Sequence, residues 1–460
     1  MERSAIRQFA SEKALFFLTA QVLLLMPASE ILAEILTRYF KGFVPSFFHP
    51  LVFGAFGILG TLAVLFYKAC ELSANETRGK WYPSDVFYLL LVFFMVLSAV
   101  FSTNPGLYSF GYFFNCETPL FFLGYFALFF AGSRIRSNEY RKKLVVVLLM
   151  VEAVHGVFAF FQTFNIQITF SLLMWHSRAA YGLTPNSNYY GGLSVFMLAC
   201  ASGVFLFSDI FKANKVTKIL MAVFSGFIFY TMMGSRARLV WFGFLPMMIF
   251  YLLSGLVMLK GNIDKKILKR YFFRFLVLCG VFAAVFALTH LLTDFVSEEI
   301  QRTQMEAEGK LYSGLGSDRL LLWQCGLESV KRHWLTGIGL DNYKQVFYEK
   351  YGEVELAFFK TKAHNEFINL LVTQGVFAFA AYIFIYIRTV VVNVKRIFKG
   401  VDETSRTLDW IFLAMFVTYL GQSFFNTSVI SVAPHFWLVF GLLNTCDSPL
   451  NHYIRSKENS

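Results

Sequence analysis

Runs of about 20 apolar residues, broken by short polar segments, recur along this chain. Each run is long enough to cross a bilayer as a helix. Twelve such spans are predicted, at 14–36, 47–69, 85–102, 113–131, 144–164, 189–208, 216–233, 239–259, 271–292, 367–387, 408–425 and 429–446. Residues 86–101 contain no charge at all. The stretch 421–428 (GQSFFNTS) reads either as a turn or as a re-entrant kink. Residues 1–28 have the outline of a signal peptide, with Arg3, Arg7 and Lys13 ahead of an apolar run and a small-residue site near Pro27-Ala28-Ser29. The run continues past that site and eleven spans follow, which favours a first span.

Composition supports the same class. Of 460 residues, 57% are hydrophobic and only 15% charged, where soluble proteins carry about 25% charged residues. A soluble domain could not bury so much apolar surface, and a disulfide scaffold or a disordered chain is equally excluded. The six cysteines (Cys70, Cys116, Cys200, Cys279, Cys325, Cys446) form no CxxC or Cys/His pair and read as packing residues. The expected fold is an all-α polytopic membrane protein of about twelve spans. It divides into a membrane bundle (1–292), a large loop (293–365) and C-terminal spans with a tail (366–460).

The net charge of +12 suggests nucleic acid until its distribution is read. With the N-terminus inside, inner segments hold 27 of the 41 lysines and arginines. Nine of the rest lie in the long loop 293–365. That bias puts both termini in the cytoplasm. The basic excess orients the chain and calls for no nucleic-acid partner. The short outer loops keep only Arg38, Lys41, Arg178, Arg236 and Arg238.

Arg236 and Arg238 are the informative exceptions, because they fill a tight outer turn between two apolar helices. They read either as side chains reaching lipid phosphates or as an anion site. In the long loop, 295–310 reads as a charged helical stretch, 313–317 as a turn, and Asp318 as the cap of a helix beginning DRLLLWQCGLESVKRHW. A short third helix is expected at 342–351. Arg319 would oppose the dipole of its helix, as a solvated charge, as the partner of Asp318, or in a site. His364 sits at a helix start on the outer face, as an interfacial residue or a functional one. Glu152 and His155 share a face of the fifth span, as a proton relay or a structural contact. His435 reads as core. Gly337-Ile338-Gly339 is a turn signal only. No Walker loop, HExxH or outer-loop carboxylate pair appears, so no metal or cofactor is expected.

Taken together, several segments resemble the O-antigen ligase/polymerase family of bacterial inner-membrane proteins. They are Gly234-Ser235-Arg236, Ser317-Asp318-Arg319 with Trp323, Leu335 to Tyr343 (LTGIGLDNY), and Ala363-His364-Asn365-Glu366-Phe367. Gly182-Leu183-Thr184-Pro185-Asn186-Ser187-Asn188 resembles that family's Asn-bearing segment. The resemblance covers roughly 180–445. It implies a fold like the C-type membrane glycosyltransferases, with one large, mainly helical periplasmic loop. It implies transfer of a glycan from a polyprenyl (undecaprenyl) diphosphate carrier to an acceptor hydroxyl at the periplasmic face. Arg236 and Arg319 would hold the diphosphate, and His364 would be the catalytic base. Arg238, Asn188 and Asn365 would be supporting residues.

The chemistry agrees with such a donor. A diphosphate leaving group needs fixed positive charge, which arginine supplies, and a neutral imidazole suits removal of the acceptor proton. One base without a carboxylate nucleophile predicts inversion, with neither metal nor ATP. The acceptor stays open among lipid A–core (a ligase), a growing glycan (a polymerase) and protein Ser or Thr. From another class, a transporter shares the twelve-span plan, but the two halves show no repeat.

Overall fold

The computed structural model describes residues 12–39, 48–74, 82–103, 118–166, 179–260, 265–292, 300, 301, 304, 305, 308, 319–351, 362–399 and 402–445. Among the described residues the chain is helical, without a strand. Its helices are α1 (Glu12–Tyr39), α2 (Phe48–Ala74), α3 (Pro83–Val100), α4 (Pro119–Arg134), α5 (Asn138–Thr163), α6 (Ser187–Leu206) and α7 (Lys215–Gly234). They continue as α8 (Leu239–Lys260), α9 (Lys265–Leu292), α10 (Arg319–His333), α11 (Tyr343–Tyr351), α12 (Glu366–Lys399), α13 (Glu403–Ser423) and α14 (Ala433–Leu443).

Each of the twelve candidate spans corresponds to one of these helices. Nine of the described helices are long and apolar enough to cross a membrane. The other three differ for visible reasons. Helices α4 and α14 have only 16 and 11 residues, and α13 carries Glu403, Arg406 and Asp409 in its first two turns. Both short helices are buried inside the bundle, so neither has to match the bilayer by itself. They approach closely: a Cβ on Gly441 would lie 2.2 Å from the Phe129 carbonyl oxygen. Small residues of this kind let membrane helices pack backbone to backbone. A single apolar core joins α1 through α9 with α12, α13 and α14.

Polar residues cap the helices where the apolar runs stop. The side chains of Ser137, Asn186, Asn214 and Asp402 each accept from a backbone N–H in the first turn of α5, α6, α7 and α13. The fifth span therefore begins at Asn138, earlier than hydropathy indicates, because its first polar turn is helical too. Cys70, Cys200, Cys279 and Cys325 are free thiols, three of them buried, as expected of packing residues. Cys116 and Cys446 lie outside the described residues. So do Arg3, Arg7, Lys41, Arg178, the 313–317 turn, Asp318 and most of 295–310.

The two ends of the bundle differ chemically. At one end, buried and half-buried carboxylates gather cations from several helices. Asp85 bonds Arg134 and, at 2.8 Å, Lys68. Asp409 bonds Arg141 and lies 3.8 Å from Arg396. Asp209 takes Lys218, Arg270 and Arg274. We call this the ion-pair end. The opposite end carries α10 and α11 and is the cap end. The described residues of the resemblance motifs fall at the cap end.

Candidate functional site

The start of α12 is built from its own polar residues. Asn365 accepts from the Ile368 N–H at 3.0 Å, capping the helix, and Glu366 adds an acidic first turn. Just before the cap, His364 takes a left-handed backbone, φ 49°. Side chains rarely adopt that region, although His tolerates it better than most. Neighbours on both sides hold it. The Trp323 indole of α10 donates to the Ala363 carbonyl at 2.9 Å. The Lys362 ammonium, 2% exposed, donates to the Ser428 carbonyl at 2.9 Å. The Ser428 N–H in turn donates to the Glu366 carboxylate. Two charged side chains from one helix start thus grip both backbone groups of one residue in the α13–α14 connector. The stretch 421–428 is therefore the end of α13 and the start of a non-helical connector, buried from Asn426 onward.

His364 is half-buried. Burial of its ring, first of all, and then the Arg319 guanidinium and Lys362 ammonium beside it together lower its pKa from 6.5 to about 4. The imidazole is therefore neutral at pH 7 and free to accept a proton. The same interaction brings two of the sequence candidates, Arg319 and His364, into one electrostatic neighbourhood.

The Gly337-Ile338-Gly339 segment has a structural task. Helix α12 breaks at Gly375, with φ 83° and ψ 176°. The break leaves backbone groups of α12 without helical partners, and the segment takes them up. Ile338 N–H donates to Val372 O at 3.0 Å and Gly339 N–H to Thr373 O at 3.0 Å, while Val376 N–H donates to Trp334 O at 2.8 Å. The end of α3 joins in: Ser98 donates to Thr373 O at 2.7 Å, and Asn342 donates to Ser102 Oγ at 2.6 Å. A small second core of Leu322, Cys325, Ile338, Tyr343, Ala363 and Val372 seals α10 and α11 onto α12.

The α7–α8 turn carries the other arginine candidates. Arg236 is also left-handed, φ 55°. Ser235 Oγ donates to Met232 O at 2.6 Å and accepts from Ala237 N–H at 3.3 Å, which stiffens the turn. Arg236 and Arg238 are both half-buried. The Asn-bearing segment packs directly on this turn. Ala180 N–H donates to Gly234 O at 2.8 Å, and Gly191 lies under Ser235 and Ala237. Asn186 is the α6 cap, accepting from Asn188 N–H at 2.8 Å, so Asn188 stands in the first turn of α6, half-buried.

Glu152 and His155 brace the same segment. Glu152 accepts from the Tyr190 hydroxyl at 3.3 Å, and His155 Nδ1 accepts from Leu183 N–H at 3.3 Å. Gln162 takes the N–H groups of Tyr181 and Gly182 at 2.8 and 2.7 Å. Of the two readings of the Glu152–His155 pair, this geometry is the structural contact. His435 is buried in α14.

The halves meet through α13. Gln422 donates to Gly192 O at 3.0 Å, next to Gly191 and the Arg236 turn. Phe425 stacks on Phe242 of α8, with centroids 3.8 Å apart, and reaches Trp323 of α10 at 6.1 Å. A continuous chain of contacts therefore runs from the Arg236 turn to Trp323 and the His364 backbone. Residues 220–383 match the family model described as O-antigen ligase. The resemblance to the O-antigen ligase family therefore stands. The stretch matched by the O-antigen ligase model holds Arg236, Arg238, Arg319, His364 and Asn365, and begins after Asn188. No curated protein matches the chain.

Two residues of the site were not singled out by sequence reasoning. Lys362 and Glu366 fix the connector, and Lys362 also acts on His364. The available signal was their spacing around His364, with Glu366 already inside the motif that carries the resemblance.

Proposed function

We propose that this chain transfers a glycan from a polyprenyl diphosphate carrier to an acceptor hydroxyl, in the manner of an O-antigen ligase. The observation that carries the reading is a neutral His364, in a left-handed turn, beside the cations Arg319 and Lys362. In this reading the cap end faces the periplasm, the ion-pair end faces the cytoplasm, and both termini are cytoplasmic. Arg236 and Arg319 bind the diphosphate, Arg238 supports them, and the host membrane is a bacterial inner membrane.

The acceptor oxygen attacks the anomeric carbon as the bond from that carbon to the diphosphate oxygen breaks. The electron pair leaves with the carrier diphosphate. His364 takes the acceptor proton. Fixed guanidinium groups stabilise the charge developing on the leaving diphosphate, which is where preorganised charge lowers the barrier most. Attack from the face opposite the leaving group inverts the anomeric configuration. Lipid A–core is the proposed acceptor. Polymerisation onto a second glycan uses the same groups.

The test is complementation of a strain lacking the gene, with membrane levels of each variant measured. His364→Ala and Arg319→Ala are expected to insert normally and to leave full-length glycan on the lipid carrier. Stranding of full-length glycan indicates a ligase, whereas single repeats on the core indicate a polymerase. Full complementation by both variants would refute the assignment, and a product with retained configuration would refute the mechanism.

A further inference from the structure

A second feature lies away from the cap-end site. A groove of about 930 Å³ runs between α7 and α9, with walls of Phe, Val, Ile and Leu side chains. It extends along α9 from Arg270 to Thr289, about 28 Å at 1.5 Å rise per residue. That is close to the roughly 30 Å hydrocarbon thickness of a bilayer. Its side is open: Val223 and Phe273, both lining it, are 62% and 66% exposed. An alkyl chain lying along the bilayer normal fits such a slot.

The charges are confined to one end of it. Lys218, Arg270 and Arg274 line the groove at the ion-pair end. All three converge on one carboxylate, Asp209, at 2.6, 3.3 and 2.7 Å. Three cations on one anion leave two positive charges beside the mouth of an apolar slot. Arg270 is 58% exposed on its side chain and Lys218 29%, so both can reach a headgroup. The far end of the groove carries Tyr230 and Thr289 and no charge.

We propose that this groove binds an anionic glycerophospholipid, with an acyl chain between α7 and α9 and its phosphate on Lys218 and Arg270. The charge placement favours this occupant over the carrier. A polyprenyl chain with its diphosphate at the Arg236 turn would enter from the uncharged end and leave the three cations unused. Basic clusters beside transmembrane helices commonly recruit anionic headgroups. The preference over the carrier rests on the proposed diphosphate site at the Arg236 turn, but lipid retention itself requires neither His364 nor an acceptor.

The test uses the full chain purified in detergent, incubated with phosphatidylglycerol, phosphatidylcholine or polyprenyl monophosphate, with bound lipid counted by native mass spectrometry. Phosphatidylglycerol is expected to be retained at least tenfold better than phosphatidylcholine. Each cation lost near a lipid phosphate weakens binding roughly fivefold, so Lys218→Ala with Arg270→Ala should reduce retention about twenty-five-fold. Lys218→Arg with Arg270→Lys should restore it, which separates charge from folding. Val223→Trp should block the slot with the charges intact. Undiminished retention by the double alanine variant, equal retention of the two phospholipids, or displacement of phosphatidylglycerol by polyprenyl monophosphate would each overturn the proposal.

Discussion

Replacing Gly375 by alanine tests the junction that joins the loop helices to the membrane bundle. At φ 83° and ψ 176°, Gly375 occupies a region essentially restricted to glycine, costing on the order of 1–3 kcal/mol for other residues. A Cβ there would lie 2.3 Å from Leu335 O and 2.9 Å from Gly337 N. Both are backbone atoms and cannot rotate away. The segment would have to separate from α12, losing the bonds of Ile338, Gly339 and Val376, each worth about 1 kcal/mol net. The total is roughly 4–6 kcal/mol, a large share of a typical stability of about 5–15 kcal/mol. Gly280→Ala is the control, since a Cβ there meets nothing within 4 Å and alanine favours helix by roughly 1 kcal/mol. The assay is the thermal midpoint of the detergent-solubilised chain, with amide exchange read at residues 336–343. A large drop in midpoint and fast exchange at Ile338 and Gly339 are expected for Gly375→Ala, and no loss for Gly280→Ala. Unchanged midpoint and protected amides in Gly375→Ala would show that this account of the break is wrong.

Two further outcomes follow from the charges. Lys362→Met removes one of the cations that depress His364, so the acid limb of the transfer–pH profile should move upward from about 4 towards 6.5; an unmoved limb would mean that Lys362 does not act on the base. In the wild-type chain the folded state holds fewer protons on His364 than the unfolded state between about pH 4 and 6.5. This group's contribution to stability is therefore full above that window and is lost as pH falls through it. Asp409→Asn leaves Arg141 and Arg396 without their buried carboxylate and should cost about 3–5 kcal/mol; thermal unfolding that matches wild type would contradict the pairing.

Hydropathy located a helix for each of the twelve candidate spans, because a bilayer imposes one period and one length on every segment. At α4 and α14 the helices are shorter than the expected spans, because other helices enclose them. The α12 break is invisible in the sequence because Gln374 and Gly375 sit inside an otherwise apolar span, and only the approach of the Gly337 segment reveals it. The same holds for Gly337-Ile338-Gly339, a bare turn signal that proves to be the strap over that break. Charge counting gives an expected orientation but not the pairings. Asp85, Asp209 and Asp409 each stand far in sequence from at least one cation they hold, so no local pattern marks them. The motif residues Arg236, Arg319 and His364 were legible from the resemblance. Their packing through Gln422, Phe425 and Trp323 was not, since it depends on α13 threading between the two halves.

Arg236, Asp341 and His364 share left-handed backbones, and this decides which substitutions there can be interpreted. Alanine at such a position removes a side chain and also opposes the turn, so a lost activity has two sources. Asparagine tolerates that conformation well and carries no nitrogen that accepts a proton near neutral pH. A chain with His364→Asn would keep the shape of the turn and lose only the base, separating geometry from chemistry at a single atom.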